Sequence, residues 1–132
     1  MGLDLVEFSR EVSMDALTRK KCIPCREGEP KVTLEEISAM KPQIPDWNIV
    51  PRNGIDILER AYGFDDFASA LAFTIELGEL AEQEDHHPAI LTEWGRVTVS
   101  WWTHKIGGLH ANDFIMAAKT DHLYATRKGA SS

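Results

Sequence analysis

The chain has 132 residues, 43% of them apolar and 27% charged, the proportions of one globular domain large enough to bury a core. This excludes a disordered tail, a collagen-like fibre and a disulfide scaffold. The net charge of −7 is concentrated, because residues 56–85 hold nine acidic side chains and only Arg60 as a base. No stripe of Lys and Arg could neutralise a row of phosphates, so direct contact with nucleic acid is not expected. The longest apolar run, Phe114–Ala118, falls far short of the ~20 residues of a membrane span. Asp4, Glu7 and Glu11 suit neither a signal nor a transit peptide, and a cytoplasmic location is expected.

Residues 1–30 read as an N-terminal extension, in which Leu5, Val6, Phe8 and Val12 form only a weak amphipathic pattern. Residues 31–127 read as the domain and 128–132 as a tail. Thr33-Leu34-Glu35-Glu36 has the form of a capping box, with hydroxyl and carboxylate each serving a free N–H. Leu34, Ile37 and Met40 continue it as a short helix stopped by Pro42. A strand over Trp47–Val50 meets a returning strand, Ile55–Tyr62, through Asn53-Gly54, a pair that tolerates positive φ and so favours a hairpin. Gly63 is expected to break the second strand. A long helix capped by Asp65 or Asp66 then runs to about Glu84. Its apolar stripe is Phe67, Ala70, Leu71, Thr74, Gly78 and Ala81, widened by Phe73, Leu77 and Leu80.

Ala89–Leu91 is a short candidate strand. The next strand alternates, with Val97, Val99 and Trp101 on one face and Thr98, Ser100, Trp102 and His104 on the other. After Gly107-Gly108, a last helix covers about Ala111–Tyr124, offering Phe114, Ile115, Ala118 and Leu123 for burial. The predicted order is α-β-β-α-β-β-α: an α+β two-layer sandwich, its four-stranded antiparallel sheet covered by helices on one face. The other face or an edge would then be free to pair with a second copy.

Cys22 and Cys25 form a single C-x-x-C pair. Two ligands are half of a structural zinc site, and the surroundings offer no βαβ context for a redox motif. Reduced thiols in an exposed loop are the plain reading.

Four of the five histidines fall between positions 86 and 110. Histidine changes charge near neutral pH, so such a cluster suggests proton transfer. Glu82 and His86 are four apart and would share a helix face. The helix C-terminus and that carboxylate would both favour an imidazolium able to donate a proton; a simple capping histidine is the competing reading. His104 ends its strand beside Trp102, which could stack on a flat heterocycle or cover an interface. His110 and His122 read as surface residues. A zinc site built from three histidines is the weaker alternative, because adjacent His86 and His87 leave the chain in different directions.

The run Glu82-x3-His86-His87-Pro88, followed by Trp94, His104 and Asp113, resembles the signature of the pterin-4a-carbinolamine dehydratases. Pro45-Asp46-Trp47, Phe64-x2-Phe67-x2-Ala70, Thr103-His104, Gly107-Gly108-Leu109 and Asn112-Asp113-Phe114 extend the likeness over Thr33–Leu123. The chain especially resembles bacterial members that accompany phenylalanine hydroxylase. The resemblance implies removal of water from a 4a-hydroxytetrahydropterin to give the quinonoid dihydropterin, with no metal or organic cofactor. It implies a catalytic set of His86, His87 and His104. In that set His86 is the expected acid, supported by Glu82, and His104 the base. His87 would hold the pterin or serve the other hydroxyl stereoisomer. Asp85, Trp102, Thr103 and Lys105 would line the pterin pocket, Asp113 would orient His104 or its loop, and Trp47 would support the site. A homodimer or homotetramer is implied as well. The alternative is a non-enzymatic binding or dimerisation module on the same fold, as some relatives serve a homeodomain transcription factor.

Overall fold

A computed structural model describes residues 17–22, 29–127 and 130–131; the amphipathic pattern at Leu5–Val12 and Cys25 lie outside them. Helix α1 (Leu34–Met40) begins with the expected capping box. Thr33 Oγ1 accepts from Glu36 N–H at 3.1 Å, and Glu36 Oε1 accepts from Thr33 N–H at 2.8 Å. Pro42 turns its end into a 3₁₀ turn. Strands β1 (Asn48–Arg52) and β2 (Ile55–Phe64) pair antiparallel from Arg52↔Ile55. They are joined by Asn53 and Gly54 at φ +55° and +78°, the two positive values a tight hairpin needs.

Gly63 does not break β2. It pairs with Arg96 on one side and with Ser131 of β5 (Ala130–Ser131) on the other. Ladder bonds on both sides outweigh glycine's modest intrinsic cost in a strand. Helix α2 (Phe67–Glu84) starts at Asp66, whose carboxylate accepts from Ser69 N–H at 2.8 Å. Its buried line is Ala70, Phe73, Leu77 and Ala81, whereas Phe67, Leu71 and Ile75 stay exposed. The helix is thus rotated relative to the predicted stripe. Its apolar band is broad enough that the sheet, rather than the pattern, selects the inward edge.

Strands β3 (Ala89–Glu93) and β4 (Arg96–Trp101) form the second hairpin, and helix α3 (Ala111–Thr126) completes the fold. The sheet order is β1-β2-β4-β3, with β5 added to β2. The predicted α+β sandwich is the observed one. Val97, Val99 and Trp101 face the helices and are fully buried. Around them Trp47, Tyr62, Phe64, Phe73 and Tyr124 pack tilted or edge-on, geometries that suit the ring quadrupole. Leu17 joins this core. Ser100, expected on the open face, is buried and donates to Glu59 Oε2 at 2.9 Å.

Strand β4 stops at Trp101, three residues before the predicted end. Thr103 instead bridges Gly108, with Thr103 N–H donating to Gly108 O at 2.8 Å. His104–Ile106 forms a 3₁₀ turn inside that loop, closed by Gly107 at φ +61°. The return of the chain to Gly108 supplies the hydrogen bonds that a longer strand would have needed. Among the described residues no helix is long and apolar enough to cross a membrane.

Candidate active site

The site is built where α2 ends. Asp85 caps the helix in the left-handed region, φ +52°, and its N–H bonds back to Ala81 O and Glu82 O. His86 N–H also reaches Ala81 O, at 3.1 Å. This twist moves His86 off the helical face it would have shared with Glu82. Glu82 pairs with His87 Nε2 instead, correcting the expected Glu82–His86 pair. His86 turns inward and meets a different carboxylate: its Nε2 lies 2.6 Å from Asp113 Oδ1. Its ring stacks on Trp101, with planes 5° apart and centroids 5.5 Å apart.

Asp113 is completely buried, and a buried carboxylate must be paired. Besides His86 it takes two donors on Oδ2: Thr103 Oγ1 at 2.8 Å and His110 N–H at 2.9 Å. One carboxylate thereby joins three segments: the end of α2, the loop after β4 and the start of α3. Through Thr103 it reaches the loop that carries His104. Its bond to His86 is the contact that local spacing could not supply.

Of the other residues singled out, His87 and His104 are exposed, as are Asp85 and Lys105. Trp102 is half-buried, with its ring 4.5 Å from that of His104. Trp47 is not brought to this cluster. It is buried, and its Nε1–H donates to Asp121 Oδ1 at 2.8 Å, about 12 Å further along α3 than Asp113 at 1.5 Å per residue. Arg60 and Tyr62 donate to the same Asp121 oxygen at 2.7 and 2.5 Å, which makes this a structural network between sheet and helix.

His110 is no free surface residue. It caps α3, with Nδ1 accepting from Asn112 N–H at 3.1 Å, and only 12% of its side chain is exposed. His122 is exposed as expected. Sequence reasoning also missed Trp101 as the floor under His86 and Thr103 as a donor to Asp113. The His110-x-x-Asp113 spacing held the available signal, since it repeats the geometry of a capping box with an imidazole in place of a hydroxyl.

Cys22 is partly buried rather than fully exposed. Its N–H donates to Glu84 Oε1 at 3.1 Å. Burial first, and the Glu84 carboxylate second, push its thiol up to about 12, which leaves it a poor nucleophile near neutral pH. A groove of about 450 Å³ between α2 and α3, lined by Glu76, Glu79, Leu80, Gln83, His122 and Leu123 among others, contains none of His86, His87 and His104.

Residues 30–123 match the model of the family Pterin 4 alpha carbinolamine dehydratase, and the chain belongs to this family of hydro-lyases. A protein of Microcystis aeruginosa (strain NIES-843 / IAM M-2473) named "Putative pterin-4-alpha-carbinolamine dehydratase" is 56% identical over 111 residues, 84% of this chain and 96% of the relative. The crystal structure of a transcriptional coactivator/pterin dehydratase from Brucella melitensis superposes with a TM-score of 0.64 at 29% identity. It covers 71% of this chain and 98% of the other.

Proposed function

We propose that the protein dehydrates 4a-hydroxytetrahydrobiopterin to the quinonoid dihydropterin and water by histidine acid–base catalysis. The observation that carries this reading is the His86–Asp113 pair stacked on Trp101. A proton must reach the departing 4a-hydroxyl as the carbon–oxygen bond breaks, and another must leave a ring nitrogen as the carbon–nitrogen double bond forms. The sum is loss of one water, and no electrons are exchanged. With His86 Nε2–H donated to Asp113, Nδ1 is the nitrogen left to carry the moving proton, and the carboxylate stabilises the imidazolium. His104 serves as the base, with Trp102 beside it as a stacking platform for the pterin. His87, braced by Glu82, holds the substrate or serves the other stereoisomer. Asp85, Thr103 and Lys105 border the same place.

The reaction requires no metal or organic cofactor on this reading, and His86 and His87 turn their Nε2 atoms to two different carboxylates rather than to a common point. Its substrate is what a pterin-dependent aromatic amino-acid hydroxylase releases, with phenylalanine hydroxylase the first candidate. We also propose a homo-oligomer, at least a dimer. Support comes from β3, which lies at the end of the sheet order, and from the exposed Leu91 and Trp94 on and beside it. A purely protein-binding module is the second reading, favoured by the exposed Phe67, Leu71 and Ile75 on α2.

The deciding experiment is stopped-flow decay of 4a-hydroxytetrahydropterin with and without the protein. Acceleration is expected, with His86→Ala and His104→Ala each losing about 10²–10⁴-fold. No acceleration, or near wild-type rates in both variants, would remove the assignment.

A further inference from the structure

Residues 29–32 cross the loop between β4 and α3 at successive points. Val32 N–H donates to Leu109 O at 2.9 Å. The aliphatic stem of Lys31 lies so close over Gly108 that a Cβ there would stand 2.7 Å from Lys31 Cδ. Glu29 Oε2 is 3.1 Å from His110 Nε2. The strap therefore rests on the neck of the loop that holds His104, pinched shut by Thr103 and Gly108.

The ring of His110 is engaged at both nitrogens. Nδ1 accepts from Asn112 N–H, so the ring proton sits on Nε2 and is donated to Glu29. The backbone N–H of His110 holds Asp113 Oδ2, and Asp113 Oδ1 holds His86. Three linked contacts thus run from Glu29 to the histidine assigned as acid.

We propose that Glu29 and His110 are positioning residues for the dehydration. By anchoring the His110 ring, the strap fixes where Asp113 holds His86 and where the His104 loop lies. This rests on the acid–base reading above. It makes the segment ahead of α1 part of the working site, although it touches no reacting atom.

The test uses Glu29→Ala, Glu29→Gln and His110→Asn in the full chain. Asparagine is a good N-cap and keeps the helix start, but its short amide does not reach Glu29. Glu29→Ala and His110→Asn should each lower kcat about three- to tenfold, the scale of one hydrogen bond. The double variant should be no slower than either single one, and Glu29→Gln, which keeps an acceptor oxygen, should recover most of the rate. In parallel, the low-field NMR resonance of the His86 Nε2 proton should shift in Glu29→Ala and hold its place in Glu29→Gln. A wild-type kcat and an unmoved His86 resonance in Glu29→Ala, even with a lowered melting temperature, would overturn the proposal. Should the wild-type protein fail to accelerate the decay, the acid–base reading falls, and the His86 resonance alone decides whether the strap sets that ring.

Discussion

Replacing Asp113 with asparagine changes one atom, yet it should remove most of the activity. The carboxylate is fully buried and receives three donors: His86, Thr103 and His110 N–H. An amide offers one oxygen and one NH₂, so it cannot accept from all three. Turning the NH₂ toward Thr103 and His110 would set it against the His110 N–H, which can only donate, at about 1–3 kcal/mol for that lost bond, even with the Thr103 hydroxyl turned to accept. Turning it toward His86 keeps two bonds and forces the imidazole proton onto Nδ1, at a cost of about 1 kcal/mol for exchanging a charge-assisted bond for a neutral one. The second arrangement wins. Stability should fall by about 1–2 kcal/mol, or several degrees in melting temperature for a domain of this size. The acid would then sit in the wrong tautomer with no carboxylate to stabilise its protonated form, and kcat should drop by about 10²-fold or more. Thermal melts and stopped-flow decay of the 4a-hydroxytetrahydropterin measure the two effects separately. A lowered melting temperature with kcat within threefold of wild type would show that Asp113 is only a brace for the loop.

Dehydration should survive dialysis against a strong chelator, because the proposed steps are proton transfers; loss of activity restored by zinc would mean that a metal site has been taken for an acid–base site. In a Cys25→Ser background, Cys22 should react with a thiol reagent at pH 8 about 10²–10³-fold more slowly than in the unfolded chain. Its pKa of about 12 leaves almost no thiolate there, and the rate should climb as pH rises toward that value; labelling as fast as in the unfolded chain would contradict the observed burial. Sedimentation equilibrium over a wide concentration range should show a dimer or larger, and one active species at the 14.8 kDa monomer mass would defeat the assembly.

The elements themselves were legible in the residues because their signals are local. A capping box at Thr33, Asn53-Gly54 at a hairpin, an N-cap aspartate at position 66 and the alternation Val97-x-Val99-x-Trp101 each need only neighbours within a few positions. The three histidines were legible as candidates for proton transfer for the same reason: their residue types and spacing stand out without any knowledge of the fold. Their partners were not. Helical spacing pairs Glu82 with His86, but Asp85 adopts a left-handed conformation, uncommon for a residue other than glycine. That single residue hands Glu82 to His87 and swings His86 toward Asp113, 27 positions away. The side of α2 that turns inward, the passage of β2 through Gly63 and the early end of β4 were likewise decided by pairing between distant segments. A sequence lists its donors and acceptors, but a buried carboxylate takes the ones that packing brings within 3 Å, and here only the closed sandwich brings His86 and Thr103 to Asp113.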